Sequence, residues 1–499
     1  MQLYDKDLLS VQEVRKLLEK AKAAQQELAS ASQETIDNII AHIAKAGVRN
    51  AKRLAKMANE DTEFGIVEDK IIKNIFASKG VYDYIKDMKT VGEIGGDTAK
   101  KTRDIAVPVG VIAGLVPSTN PTSTVLYKAE IAIKAGNAIV FSPHPNALRC
   151  ILETVKVIRQ AIAEAGGNED LVSCITIPTM QATSNLMQHP DVSMILATGG
   201  AAMVRAAYSS GTPAIGVGPG NGPSYLDRTT DLKKAVKQII DSETFDNGTI
   251  CASEQSIICD DDMAEAVQKE MESQGAYFLN EEESKKLGKF ILRANGTMNP
   301  MIVGRSAQKI AELAELSIPQ NVRVLVAKED GVGLGHPYSN EKLCPILAFY
   351  TGKDYKEVCQ KVTDILHYEG AGHTFSIHTE NDKLVDYFAA RVPASRIIVN
   401  CPSSLGGIGA TTGLMPSLTL GCGAVGGSAT SDNVGPMNLL NIRRVAYGLK
   451  EADDIRKEAE EVTGECFEKT VNGTSVNIDE NFVDDIVNAV IRQIQGNVN

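Results

Sequence analysis

Apolar residues recur at helical spacing through the first part of the chain, at Leu8, Val11, Val14, Leu17 and Leu18, and again at Ile36, Ile39, Ile40 and Ile43. This spacing predicts scaffold helices over residues 5–60. A more polar helix is expected through Ile71, Ile75 and Val81 to Met88, followed by a Lys-rich, Gly-containing hairpin or arm from Gly92 to Arg103. From Ile105 the period changes. IAVPVGVIAGLVP, AIVFSP, LVSCITIP and VSMILATGG are short β-rich runs with helical stretches between them, the longest of which, Asn146 to Ala165, stops at Gly166-Gly167. Strands that alternate with helices imply crossover connections and a parallel sheet covered on both faces. Such sheets take ligands beyond the carboxyl ends of their strands.

Three of those ends carry chemistry. The first reads Pro117-Ser118-Thr119-Asn120-Pro121, in which prolines restrict the backbone and Asn120 offers a side-chain amide. The second is Thr198-Gly199-Gly200 before the expected helix Ala201 to Tyr208, whose first N–H groups can hold a pyrophosphate. The third is Gly216-Val217-Gly218-Pro219-Gly220-Asn221-Gly222-Pro223. A helix from Leu232 to Ile240 then leads into ETFDNGTICASEQ, where Cys251, among small and polar neighbours, can be presented from a tight loop as a nucleophilic thiol. A second α/β set follows, with strands expected at Val322 to Ala327, Ile346 to Tyr350 and Arg396 to Asn400. The glycine-rich passage Ser404 to Gly435 reads as ordered loops that line a site.

Length and composition narrow the class. A chain of 499 residues is too long for one ordinary core, and 43% hydrophobic with 23% charged residues fits a packed enzyme. A net charge of -12 argues against nucleic acid as the main partner. Nine scattered cysteines without a CxxC pair read as a reduced, cytoplasmic setting, with neither disulfides nor a structural zinc. The N-terminal MQLYDKDLLS is no signal peptide and no apolar run is long enough to span a bilayer, so no membrane association is expected. Histidines and acids show no metal-ligand spacing, and no metal is expected.

With VPSTNPTST, FSPHP, GVGPGNGP, ETFDNGTICASEQ, EGAGHT and PSLTLGCGAVGG followed by NVGP in this order, the chain resembles the aldehyde dehydrogenase superfamily from about residue 5 to residue 460. It is most similar to the CoA-acylating branch, which includes microcompartment aldehyde dehydrogenases and the dehydrogenase half of bifunctional alcohol/aldehyde enzymes. The resemblance implies an α/β fold with two Rossmann-like domains and an oligomerisation arm near residues 92–107. It places the cofactor domain at residues 1–226, the catalytic domain at 227–433 and a return to the cofactor domain or oligomer interface at 434–462. It implies that Cys251 is the nucleophile, that the Asn120 amide and the Cys251 N–H hold the oxyanion, and that His373 is a candidate helper for CoA or aldehyde. For the dinucleotide it implies contacts from Ser118, Thr119, Ser142, Pro143, His144, Thr198, Gly199, Gly200, Gly218, Pro219, Gly220 and Glu341, the last holding the nicotinamide ribose.

Three departures from the hydrolytic relatives matter. The glutamate that activates water there is matched by Val217 here, so the thioester awaits a thiol such as CoA. The lysine that contacts the adenosine ribose is matched by Ser142 or its neighbours in FSPHP, and glycine replaces the usual serine beside Thr198. These replacements loosen the choice between NAD and NADP; the resemblance implies NAD, with NADP left open. The expected reaction converts acetaldehyde or propanal, NAD and CoA to acyl-CoA and NADH. An acylating enzyme for sulfoacetaldehyde or succinate semialdehyde, and a hydrolytic dehydrogenase, stay open as alternatives. A homodimer or homotetramer is implied.

After Val462 a polar linker is expected over 463–477, then a C-terminal amphipathic helix over 478–499. There Phe482, Val483, Ile486, Val487, Val490, Ile491 and Ile494 share one side. This tail resembles the peptides that bind cargo enzymes to bacterial microcompartment shell proteins, which implies a location inside such a compartment. A helix docked on its own or a neighbouring subunit is the other reading.

Overall fold

The computed structural model describes residues 5–464 together with Val487, Asn488 and Arg492. The expected linker and tail lie outside these residues, apart from Thr463, Gly464 and the three just named. The first helix, Lys6–Leu28, is capped by the Asp5 carboxylate, which accepts from the N–H groups of Asp7 and Leu8. The second, Gln33–Thr62, is capped by Ser32 and buries Ile36, Ile39, Ile40 and Ile43 as its apolar period requires. The helix expected from Asn146 starts as a turn at Pro145–Ala147 and continues as Leu148–Glu164, with Gly166 in the left-handed region that stops it.

The strands, in chain order, are β1 (Gly92–Asp97), β2 (Thr102–Pro108), β3 (Val111–Leu115), β4 (Ala138–Ser142), β5 (Val172–Cys174), β6 (Val192–Thr198), β7 (Ala214–Val217), β8 (Gly222–Leu226), β9 (Glu254–Asp260), β10 (Ala276–Phe278), β11 (Val324–Lys328), β12 (Ile346–Gly352), β13 (Gly372–His378), β14 (Ala394–Val399) and β15 (Leu440–Ala446). The segment expected as an arm supplies β1 and β2, which form a three-stranded sheet in the order β1-β2-β15.

Two parallel sheets carry the fold. The first has the order β5-β4-β3-β6-β7. Its chain moves outward one way from β3 through β4 to β5, then returns to the other side of β3 with β6 and β7. The loops after β3 and β6 therefore diverge and leave a crevice between them. The second sheet has the order β10-β11-β12-β9-β8-β13-β14, also parallel. Every residue of β3, β4 and β9 is buried; β3 is apolar throughout, as a strand covered on both faces requires, whereas β9 also buries Glu254, Gln255, Ser256 and Asp260.

The expected domain boundary at 226/227 lies after β8, whereas β8 already pairs with β9 and β13 in the second sheet. The chain changes sheets over 218–221. GPSYL, which begins with glycine and proline, has too weak a β pattern to read as a strand, and only its neighbours make it one.

By contacts the chain divides into one unit of residues 1–95 and 103–444 and a second of residues 96–102 and 445–499. In the second unit the Tyr447 N–H donates to the Lys101 carbonyl, and the helix Ala452–Thr463 buries none of its residues.

Candidate active site

A cavity of about 460 Å³ opens within the first unit at the carboxyl ends of β3, β4, β6 and β7. The loop after β3 brings Ser118, Thr119 and Asn120 to it, the end of β4 brings Ser142, Pro143 and His144, and the end of β6 brings Thr198, Gly199 and Gly200. Gly218 and Pro219 follow β7, and Cys251 and Glu341 come from the opposite side. Thirteen of the residues expected from the sequence thus meet at one place; Gly220 stands behind this wall and His373 outside it.

Cys251 is held by an unusual turn. The helix Leu232–Thr244 ends, and Asp246, Asn247 and Gly248 all take positive φ before Cys251 is reached. Two non-glycine residues in that region cost about 1 kcal/mol or more each and persist only where the surroundings enforce them. Here Asp246 accepts from the Ile66 N–H at 2.7 Å and its own N–H donates to Asp69 at 2.7 Å, while the Asn247 amide donates to the Gly304 carbonyl at 2.9 Å. The Cys251 residue is half-buried, and burial, helped by the nearby Glu341 carboxylate, pushes its thiol up to about 12.

Gly220 lies against the Cys251 backbone: a Cβ there would overlap the Cys251 carbonyl. Its N–H donates to Glu341 Oε1 at 2.8 Å, which ties the glycine loop, the cysteine loop and the acid together. Burial, and then the charge of Glu369, hold the Glu341 carboxyl well above the usual carboxylate range.

Asn120 precedes the helix Pro121–Lys134 as its cap residue. Its Nδ2 donates to the Thr249 carbonyl at 2.8 Å and reaches Thr119 Oγ1 only at 3.4 Å, so one of its two N–H groups is loosely held and free to serve a ligand oxygen. Its Oδ1 accepts from Lys73 Nζ at 2.7 Å. Lys73 also donates to Asp246 Oδ2 at 2.6 Å and Thr249 Oγ1 at 3.0 Å, and Lys70 donates to the same Asp246 oxygen at 3.0 Å.

This cluster was not legible as a site. The helix Val67–Ile75 buries Lys70, Lys73 and Asn74 while Ile72 and Ile75 are exposed, the reverse of a solvated amphipathic helix. The available signal was two lysines three residues apart on one face, opposite the isoleucines, and no pattern rule reads that as buried.

The first-sheet side of the cavity fits a dinucleotide. Nothing lies within 4 Å of a Cβ built on Gly200 or Gly218, so the backbone there leaves a cradle that side chains would fill. Gly200 caps the eight-residue helix Ala201–Tyr208, whose first N–H groups lack intrahelical partners and face the cavity end of β6. Glu341 offers an acceptor across the cavity. His144 accepts from the Asn146 N–H at 3.2 Å, and burial lowers its basicity.

His373 is fully buried on β13, its Nδ1 paired with Thr374 Oγ1 at 2.9 Å and its Nε2 without a partner. Burial, with the Arg396 guanidinium beside it, holds its imidazole well below the usual value. The glycine-rich passage from Ser404 supplies Ile408, Leu418 and Leu420 to the cavity wall, and Arg396 pins it by donating to the Gly421 carbonyl at 2.7 Å. Away from the cavity, Glu329, Asp330 and His336 converge so that one ligand atom from each lies within 4.8 Å of the others, and His336 Nδ1 pairs with Glu329 at 2.8 Å. Sequence spacing did not anticipate that cluster. Among the described residues no helix is long and apolar enough to cross a membrane.

Two parallel sheets, a switch-point cavity with open glycines and a cysteine loop facing it define the class of dinucleotide-type α/β proteins with a cysteine at the cavity. More particularly, residues 3–417 match the model of the aldehyde dehydrogenase family, and the chain belongs to that family. It is 45% identical over 442 residues to the bifunctional aldehyde-alcohol dehydrogenase of Escherichia coli, a match that covers 88% of this chain and 50% of that one. The chain thus spans about half the length of the first curated relatives it matches. The crystal structure of an acetylating aldehyde dehydrogenase from Geobacillus thermoglucosidasius is 52% identical, with a TM-score of 0.88 over 90% of this chain and 99% of that one. A propionaldehyde dehydrogenase from a Clostridium phytofermentans fucose-utilisation microcompartment is 27% identical, with a TM-score of 0.78 over 88% and 98%.

Proposed function

We propose that the chain oxidises a small uncharged aldehyde, acetaldehyde or propanal, to its acyl-CoA with NAD as the electron acceptor. The observation that carries this reading is Val217, 3% exposed and set in the cavity wall, where the hydrolytic relatives have the glutamate that activates water. The carboxyl that does line the cavity, Glu341, is engaged by the Gly220 N–H. The cavity wall carries Ile250, Leu343, Ile408, Leu418 and Leu420 beside the neutral Asn120 and Thr249, and no lysine or arginine lines it. That favours an uncharged aldehyde over sulfoacetaldehyde or succinate semialdehyde.

Cys251 reacts as its thiolate, the thiol proton having passed to solvent water, and Sγ attacks the aldehyde carbon; the C–S bond forms as the carbonyl π bond opens to an oxyanion. The free N–H of the Asn120 amide and the Cys251 N–H are the donors for that oxygen. Thr198 to Gly200 and the helix they open would hold the pyrophosphate, with Glu341 on the nicotinamide ribose, and a nicotinamide dinucleotide, when bound, takes up the hydride that leaves the tetrahedral carbon. The carbonyl re-forms as a Cys251 thioester. With Val217 in place of a base, water attacks slowly. The thiolate of CoA attacks the thioester carbon, and Cys251 departs as thiolate while acyl-CoA leaves.

The test is NADH formation from acetaldehyde and propanal with and without CoA, with mass spectrometry of the Cys251 peptide. Turnover that needs CoA, with an acyl adduct on Cys251 in its absence, is expected; steady turnover without CoA overturns the reading.

Two finer parts of the proposal rest on resemblance. The chain assembles as a homodimer or homotetramer, with the strand pair β1 and β2 at the subunit contact, which light scattering checks. Residues 478–499 attach the enzyme to a microcompartment shell, which is checked by fusing them to a reporter protein and measuring co-purification with the shell.

A further inference from the structure

A primary amide can present either end to a neighbour, and the ends have opposite chemistry: Oδ1 only accepts, Nδ2 only donates. An oxyanion donor is useful in one orientation alone. What fixes that orientation at Asn120 is a second residue, buried behind it, that only donates.

We infer that Lys73 is a positioning residue for the oxyanion site, holding Asn120 Oδ1 so that the amide N–H groups face the Cys251 loop. The ammonium of Lys73 has three protons and no acceptor, and it spends them on Asp246 Oδ2 at 2.6 Å, Asn120 Oδ1 at 2.7 Å and Thr249 Oγ1 at 3.0 Å, with the Thr249 carbonyl beyond at 3.3 Å. A flipped Asn120 would aim an N–H at this cation and its oxygen at the Thr249 carbonyl, losing both bonds. Lys73 is itself fixed: its side chain is 2% exposed, Asp246 supplies the counter-charge, and the left-handed turn at Asp246 is closed by the Ile66 and Asp69 bonds. The same lysine reaches Thr249, two residues before Cys251, so one cation sets both the donor and the approach to the nucleophile.

Lys70 is an internal control. It shares Asp246 Oδ2 at 3.0 Å but donates to the Thr119 carbonyl, not to the Asn120 side chain. Disturbing it alters the buried charge and leaves the amide pinned.

The inference rests on the proposed role of Asn120, so the experiment is a double-mutant cycle in the full chain. The chemical step is read as single-turnover NADH formation, and kcat and KM as steady-state values. In wild type, Asn120→Ala should slow the chemical step about 10²–10³-fold, the usual effect of losing an oxyanion donor. Lys73→Met should slow it about ten- to a hundredfold with little change in aldehyde KM, because it acts on the transition state. In the Asn120→Ala background, Lys73→Met should cost less than about threefold more, since its target is gone. Lys70→Met should leave the chemical step within about threefold of wild type. Equal losses from Lys73→Met in both backgrounds, or equal losses from Lys70→Met and Lys73→Met, overturn the inference. Should Lys73→Met not fold, Lys73→Gln carries the same cycle, since a second amide no longer dictates which end Asn120 presents. A wild type without CoA-dependent turnover defeats the proposed function, and an active wild type insensitive to Asn120→Ala defeats the oxyanion role; neither outcome resembles an additive cycle.

Discussion

Gly220 and Cys251 touch through their backbones, in van der Waals contact that leaves no room for a side chain on the glycine. Gly220→Ala would drive a methyl group into the Cys251 carbonyl, so the cysteine loop must move or the Glu341 contact made by the Gly220 N–H must break. Either shift misplaces Sγ by a fraction of an ångström to an ångström, which costs about a hundredfold in rate when reacting atoms must be aligned. The expected outcome is a fall of about that size in kcat with a melting temperature that changes by a few degrees at most. A variant that retains wild-type kcat would show that the glycine loop is free to move away from the nucleophile.

The thiol is the second point at which the structure makes a quantitative demand. Burial and the Glu341 carboxylate hold Cys251 at about 12, so in the free protein the thiolate is scarce at neutral pH. Alkylation by iodoacetamide, followed at Cys251 by mass spectrometry, should rise about tenfold per pH unit without a plateau below pH 10. NAD added at saturating concentration brings a cationic ring into the cavity, and an opposite charge favours the thiolate. Labelling of Cys251 at pH 8 by a small reagent should then speed up; NADH, which lacks that charge, should not produce this effect.

The helices before residue 60 and the strands from Ile105 onward were legible because each is periodic over its own length, and the cavity was legible because its residues sit in motifs at strand ends. Thr198-Gly199-Gly200 and Pro117 to Asn120 meet for a topological reason, the reversal of strand order at β3; the alternation of short β-rich runs with helices implied only a parallel sheet with ligands beyond its carboxyl strand ends. What lay beyond reach depends on distant partners. β8 is a strand only because β9 and β13 flank it. His373 stands in a suggestive motif, yet the alternation of β13 cannot say which neighbours it meets, and the chain buries it beside Arg396. Lys73 reads as an ordinary polar helix residue, since nothing local announces that Asp246, so far along the chain, will neutralise it.

Val217 tests the choice of acyl acceptor from the other direction. It lies in the cavity wall at 3% exposure, so Val217→Glu places a carboxyl in the cavity, where burial would raise its pKa toward neutrality and suit it as a base for water. The variant should show slow, steady NADH formation without CoA, with free acetate or propionate detected by NMR, while CoA-dependent turnover falls as water competes for the thioester. Continued strict dependence on CoA would mean that access of water, and not the missing base, protects the acyl enzyme.

Asp246 neutralises two buried lysines at once, with Lys70 and Lys73 both within hydrogen-bond distance of Oδ2. Asp246→Ala leaves both ammonium groups without a counter-charge, and breaking such a buried pair costs about 3–5 kcal/mol, which urea denaturation should register as a lower midpoint. The pH dependence has a definite sign. The Asp246 carboxyl is held below its ordinary value although burial opposes this, because the Lys73 and Lys70 charges outweigh burial together with the hydrogen bonds from Lys73 and the Ile66 N–H. Its contribution is therefore fully present above the unfolded carboxylate range and is lost as pH falls through the folded value. Lys73 works the other way: burial lowers it to about 8, so the unfolded chain holds that proton more tightly, and stability from this group rises as pH climbs from about 8 toward the unfolded lysine value near 10.4. The Lys73 contribution is read as a difference: the urea midpoint of wild type minus that of Lys73→Met should rise as pH climbs from about 8 toward about 10, because Lys128, Lys342 and the buried thiols titrate alike in both proteins and cancel.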